Sequence, residues 1–371
     1  MAYAGIALGS ILVLVVLWDI FETIVLPRSV ARKFRLTRLF YKSFWRFYIG
    51  GISRMFPGRF RSGFLNAFGP LSLLCLLLLW AVCLIVGFGF LQWGIGAQVL
   101  EQSVREHAGL GTHLYLSGST FFTLGYGDIT PISPICRTIS VCEAGVGLGC
   151  LAVVIGYLPV IYQSFSRREA GISLLDARAG SPPTAVEMIC RHADAAAMSE
   201  LITLLRTMEA WCADILESHL SYPVLAYYRS QHDRESWLAA LTALMDLCSL
   251  IGAGVESDEA WIVPLRWQAQ LTYAMARHTI VDLALVFRID PSRHTNDRLD
   301  STQFEAIVRR LNASGIKLFA KAEETLAVSR QSYEPYVTGL AYLLDQELPP
   351  FEPAIFQRDN WETTAWDNRH I

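Results

Sequence analysis

Three apolar stretches, Ile6–Leu26, Leu71–Phe90 and Thr138–Phe165, stand out along the chain. Each is long enough to cross a hydrocarbon core of about 30 Å, which takes roughly 20 helical residues. The second lies inside Ser62–Leu100, a run with no formal charge; the first contains Asp19 and Glu22, and the third contains Glu143. A fourth apolar segment, Thr112–Phe122, has only about three helical turns. Too short to span, it is expected to dip into the membrane and return, which hydrocarbon tolerates where non-helical backbone is buried in protein or lines a watery cavity. Beyond residue 165 the apolar positions recur at helical spacing, with almost no strand alternation. Leu201, Leu204, Leu205, Met208, Cys212, Ile215 and Leu216 form one stripe, and Phe304, Ile307, Val308 and Leu311 another. The pattern predicts an all-α integral membrane protein carrying an all-α domain of about six helices.

Composition and charge give this layout a direction. With 53% hydrophobic residues among 371 and a mean hydropathy of +0.34, the chain is too apolar for an ordinary soluble enzyme. Residues 1–165 hold 12 Lys and Arg against 6 Asp and Glu, whereas residues 166–371 hold 19 against 28. Ten of the 12 basic residues lie between Arg28 and Arg61, where there is no acid. Positive residues stay on the cytoplasmic side, so this segment is inside, the N-terminus outside, and the Leu71 helix runs outward. The third helix returns inward and ends at Arg167 and Arg168 on the cytoplasmic face. The N-terminal apolar run lacks a basic flank and a small-residue cleavage signal, so it reads as a retained helix. None of the eight cysteines has zinc spacing, and those of the polar half fall in a reducing compartment, so no structural disulfide is expected.

Between the short apolar segment and the returning helix lies "TLGYGD", residues 123–128. A dehydrated monovalent cation needs its water shell replaced by rings of oxygens, which four copies of an extended backbone supply if successive carbonyls point to one axis. An L-residue chain does this by visiting positive φ at alternate positions, and Gly125 and Gly127 permit it. Leu124 and Tyr126 are then expected to point away and wedge against the half-helix. Thr123 adds a hydroxyl at the inner end, and Asp128 a negative charge at the outer mouth. The half-helix aims its negative C-terminal end at the cavity.

"TLGYGD" with a following Pro131, set between two spanning helices, resembles the selectivity filter of potassium channels. The likeness is to the prokaryotic two-helix pore type with an extra N-terminal membrane helix. It covers residues 71–165 and implies a homotetramer with an outer helix (71–90), a pore helix (112–122), a filter (123–128) and an inner helix (138–165). Potassium is implied as the permeant ion, held at Thr123, Leu124, Gly125 and Tyr126, with no other cofactor. Two departures stand out: Phe122 replaces a frequent second threonine and alters packing behind the filter, and Leu124 replaces the commoner valine. Neither removes a ring carbonyl.

Several polar and small residues in the apolar stretches are candidates for support or gating. Glu143 follows Gly127 by 16 residues, roughly four helical turns, at the level of the half-helix. It is expected either to hydrogen-bond Ser117, Ser119 or Thr120 and brace the filter, or to pair elsewhere without effect on conduction. In "GVGLG", Gly145 and Gly147 either bend the inner helix or permit close packing; Gly147 matches the hinge of similar channels. Pro159 removes a helical hydrogen bond and is expected to kink the helix, making Pro159–Gln163 a candidate inner constriction. Asp19 and Glu22 share one face of the first helix and are expected to pair with the basic segment. Arg32, Arg35 and Arg38 have the every-third spacing of a voltage sensor, but only one helix precedes them. Their aromatic neighbours suggest a helix lying on anionic inner-leaflet lipid.

The domains read as an N-terminal membrane helix (1–27), a basic interfacial segment (28–62), a pore domain (63–165) and a cytoplasmic helical regulatory domain (166–371) ending in an extended tail from "ELPPFEP". "SPPT" (181–184) reads as a linker and helix start. No strand precedes a glycine-rich phosphate loop, and "GAG" at 252–254 is too weak to count. Residues 221–237, dense in Tyr, His, Asp and Arg, read as a helix connection; the alternative is a site for an unidentified cytoplasmic ligand or a metal. No catalytic constellation and no nucleic-acid motif appears. The reading is a multi-pass cell-membrane potassium channel; the alternative is a membrane-tethered sensor or scaffold whose pore does not conduct or select.

Overall fold

The computed structural model describes residues 2–26, 35–52, 55, 59–101, 109–230, 235–293, 297–352 and 358–362. Parts of the basic segment, including Arg28 and Arg32, lie outside this set, as do His232 and most of the C-terminal tail. The chain divides into two compact units, Met1–Tyr162 and Gln163–Ile371.

In the first unit, α1 (Ala2–Ile20) packs along α3 (Arg59–Gly94). Glycine makes the approach possible: a Cβ on Gly9 would lie 2.5 Å from the Gly87 carbonyl oxygen and 2.6 Å from the Leu91 nitrogen. Small residues let membrane helices meet backbone to backbone, where dispersion rather than water exclusion drives association. A π-turn (Phe21–Val25) ends α1, and α2 (Leu36–Phe47) follows. Asp19 joins the three helices. Its carboxylate accepts from the Thr37 backbone N–H (3.2 Å), the Thr37 hydroxyl (2.5 Å) and the Trp80 indole (2.9 Å). Glu22 accepts from Trp18 and lies 3.6 Å from Arg35. The two acids thus hold the start of α2, which packs Phe44, Trp45 and Tyr48 around Phe68 of α3. Leu39, Lys42, Arg46 and Phe47 stay exposed on the other side of α2.

The helix expected at 71–90 is longer in both directions and contains Pro70; the one expected at 138–165 is α5, Pro134–Ala179, which contains Pro159 and passes from the first unit into the second. The short apolar segment forms α4 (Leu110–Phe121), packed against α3. A two-stranded ribbon, β1 (Val99–Glu101) with β2 (Ile129–Pro131), pairs antiparallel with Leu100 opposite Thr130.

The second unit is built on α8 (Trp237–Gly254), against which α6 (Ala185–Arg191), α9 (Ile262–Phe287) and α11 (Ala322–Gln331) pack, while α7 (Ala195–Ser221) packs along α9. With α10 (Ser301–Ala313) and α12 (Glu334–Leu344) this makes seven helices beyond α5 among the described residues, against about six expected; a minimal ribbon pairs β3 (Val255–Glu256) with β4 (Lys317–Leu318). The α7 stripe is as expected except that Trp211 joins it and Leu216 is only partly buried. By length and composition α8 would pass as a spanning helix, yet 94% of it is buried by its neighbours. Its Asp246 receives both Nη atoms of Arg298 (2.9 and 3.1 Å) and the Tyr333 hydroxyl (2.6 Å). Arg298 also donates to Glu334 and to the Pro349 carbonyl. "ELPPF" is therefore packed rather than loose: Phe351 is buried under the guanidinium groups of Arg298 and Arg330.

Arg168, read from the sequence as a marker of the cytoplasmic face, is buried in the second unit, donating to the Leu225 and Tyr228 carbonyls (2.8 and 2.7 Å) and pairing with Glu169. Close by, His219 is fully buried, its Nδ1 3.0 Å from the Ile215 carbonyl and its Nε2 3.4 Å from Arg168. Burial first, and the Arg168 charge second, hold this imidazole well below its ordinary proton affinity, so it is neutral. No group of three His, Cys, Asp or Glu able to hold a metal occurs among the described residues.

Candidate functional site

The Thr123–Asp128 loop starts from the end of α4, and its first turn is dictated by that helix. The Thr123 N–H bonds the Thr120 carbonyl (3.0 Å) and the Leu124 N–H bonds the Ser119 carbonyl (2.8 Å), with Thr123 at φ 55°. These are the two bonds and the left-handed residue of a Schellman cap, a place usually taken by glycine. A β-branched residue there is strained, and strain of this kind gathers at functional positions. Positive φ then recurs at Gly125 (59°) and Gly127 (78°) but not at Leu124 or Tyr126. The alternation anticipated from the two glycines is present and is extended by Thr123, a residue with no local signal for left-handed backbone.

The far end of the loop is fixed by the ribbon. Beyond β2, the Ile132 N–H bonds the Gln98 carbonyl (2.9 Å), and Arg137 donates to the Pro131 carbonyl (3.1 Å). The Tyr115 side chain of α4 lies beside Asp128. Tyr115 and the β1–β2 pairing were not singled out from the sequence; the strands are three residues long, below the length at which alternation is legible.

Leu124 and Tyr126 are 53% and 69% exposed within the single chain. Phe122, the departure from the familiar pattern, is likewise more than half exposed.

Behind the loop, Glu143 of α5 is completely buried between α3 and α4. Of the three hydroxyls considered for it, Ser117 is the partner, in a short hydrogen bond; Ser119 and Thr120 instead give their carbonyls to the α4 cap. The second partner is Gln92 of α3, whose amide donates at 3.0 Å. Sequence reasoning missed Gln92, although a neutral amide in a long uncharged apolar run is itself a signal that something polar faces it. Gly147 meets the Phe121 carbonyl so closely that no Cβ would fit, which makes it a contact point between α5 and the end of α4; Gly145 has open space around it. Pro159 lies on the exposed side of α5.

Comparison with known proteins agrees with this geometry. Residues 73–163, which run from α3 through the loop and down α5, match the family model described as "Ion channel". The stretch built around the loop is an ion-channel domain in an all-α membrane protein. Over 269 residues the chain is 22% identical to "Uncharacterized membrane protein YdjJ" of Bacillus subtilis (strain 168), covering 71% of this chain and 74% of that one. No solved structure matches the chain.

Proposed function

We propose that this protein is a homotetrameric potassium channel whose filter is Thr123–Asp128. The observation that carries the reading is the alternation of positive φ at Gly125 and Gly127 in a loop anchored at both ends. Alternating hands of backbone turn successive carbonyls of Thr123, Leu124, Gly125 and Tyr126 to one side, a quarter of each oxygen ring that a bare potassium ion requires. A single copy is incomplete, and two features favour its completion by symmetry. The side chains flanking the loop are exposed, and α5 carries a row of exposed apolar residues, Val141, Leu148, Leu151, Ile155 and Tyr162, at helical spacing. In the assembly the loop faces outside, the basic segment meets anionic inner-leaflet lipid through the exposed Lys42–Phe47 side of α2, and the second unit is cytoplasmic. There it sets opening or assembly, with α5 as the continuous element and Pro159 near its inner constriction.

The test is potassium uptake into liposomes containing the purified protein, with sodium as the control ion. Wild-type protein is expected to pass potassium in preference to sodium. Gly127→Ala, which forces a side chain into left-handed backbone at about 1–2 kcal/mol per chain, is expected to abolish the preference or the flux while leaving membrane insertion intact. Equal sodium and potassium uptake, or a wild-type particle without fourfold symmetry, would sink the reading.

A further inference from the structure

The hydrogen bonds around Glu143 specify more than a brace. Ser117 Oγ lies in a short contact with Glu143 Oε1 and also 2.7 Å from the Ile85 carbonyl of α3. A serine hydroxyl has one proton, and an ionised carboxylate only accepts. With Glu143 ionised, Ser117 satisfies either the carboxylate or Ile85, never both. With Glu143 as the carboxylic acid, each close contact becomes a bond: Glu143 donates to Ser117, Ser117 donates to Ile85, and Gln92 donates to Glu143 Oε2.

The surroundings point the same way. The groups facing the carboxyl are neutral, Gln92 from α3 and Ser117 from α4, and among the described residues no Lys, Arg or His forms an ion pair with it. The other titratable side chains on these faces are the buried His113, one turn before Ser117 on α4, and the buried Cys136, two turns before Glu143 on α5. Neither brings a compensating positive charge while His113 is neutral. Among the described residues Gln92 Oε1 is buried without a hydrogen-bond partner, and Ser140, one turn from Glu143 on α5, sits beside the Cys136 thiol, so further polar atoms line the same place. All of this is enclosed within one chain and does not depend on assembly.

We propose that Glu143 is a proton-binding site that couples pH to the support of the Thr123–Asp128 loop. As the neutral acid it links α3, α4 and α5 in one relay. When hydroxide removes the proton, Ser117 turns to the carboxylate, its bond to Ile85 breaks, and α4 loses its polar tie to α3. The proton site stands on the hydrogen-bond inventory alone; its effect on conduction rests on the channel reading above.

Infrared spectroscopy of the full-length protein in lipid tests the site directly. The wild type is expected to show a protonated-carboxyl band at neutral pH that shifts on 13C-glutamate labelling, disappears reversibly at alkaline pH, and is missing from Glu143→Gln. Absence of a labelled acid band in wild-type protein overturns the proposal, whether or not the variant folds. In liposomes, wild-type potassium flux is expected to fall several-fold from neutral to alkaline pH. Glu143→Gln, which can donate to Ser117 and accept from Gln92, is expected to stay flat. Identical pH profiles for the two overturn the coupling. A titrating band in a protein that passes no ion at any pH upholds the proton site and overturns the channel reading.

Discussion

Two helices of this chain, α5 and α8, are both long and apolar enough to cross a membrane, yet their surroundings are opposite. Only 17% of the apolar stretch of α5 is buried within its own chain, against 94% of α8. Each carries one fully buried acid, and the acids are treated differently. Glu143 on α5 meets a serine and an amide; Asp246 on α8 meets a bidentate guanidinium and a phenol. In the second unit, helices on several sides supply both the cover and the counter-charge. In the first, the apolar stretch of α5 stays largely exposed within the chain, and the polar partners of its acid are uncharged. Apolarity alone does not say whether a helix is a span or a core; what encloses it does.

The same substitution is expected to have opposite consequences in the two helices. Leu244→Asp puts an unpaired charge in the centre of α8, where Leu244 is fully buried, and is expected to cost more than about 4 kcal/mol and unfold the second unit. Limited proteolysis of the full chain reads this out. Leu151→Asp on the exposed side of α5 is expected to leave the protease pattern unchanged and to alter only assembly or flux. Asp246→Ala strips Arg298 of its bidentate partner, with a loss of about 3–5 kcal/mol measurable by thermal unfolding; Glu334 keeps it near the lower end. A smaller effect comes from His219. Because its proton affinity is depressed in the folded chain, the unfolded chain binds the proton first, so stability falls as pH drops below the ordinary value of about 6.5. The expected slope is at most about 1.4 kcal/mol per pH unit, removed by His219→Asn. A slope unchanged in that variant would assign the acid sensitivity to other groups.

Much of the layout was legible from the pattern of residues. Two long spans, a short apolar helix before "TLGYGD", and a helical second half all follow from the lengths and periods of apolar runs. Glu143 was marked by its position in an apolar stretch, and Ser117 was among the partners that helical geometry allowed. Gln92 was not marked, because an amide leaves no gap in charge. Arg168 was legible only as a cytoplasmic marker at the end of an apolar helix; the Leu225 and Tyr228 carbonyls that receive it are more than 50 residues away in sequence.

Which segments are helical, which are apolar enough for lipid, and where glycine permits left-handed backbone can be read locally, since these depend on residues within a few turns of one another. That α8 is a core, that Thr123 joins the left-handed series as a helix cap, and that Glu143 is held by Ser117 and Gln92 emerge only once the chain is folded. Those outcomes depend on which distant groups arrive to fill space and complete hydrogen bonds, and long-range closeness leaves no period in the chain.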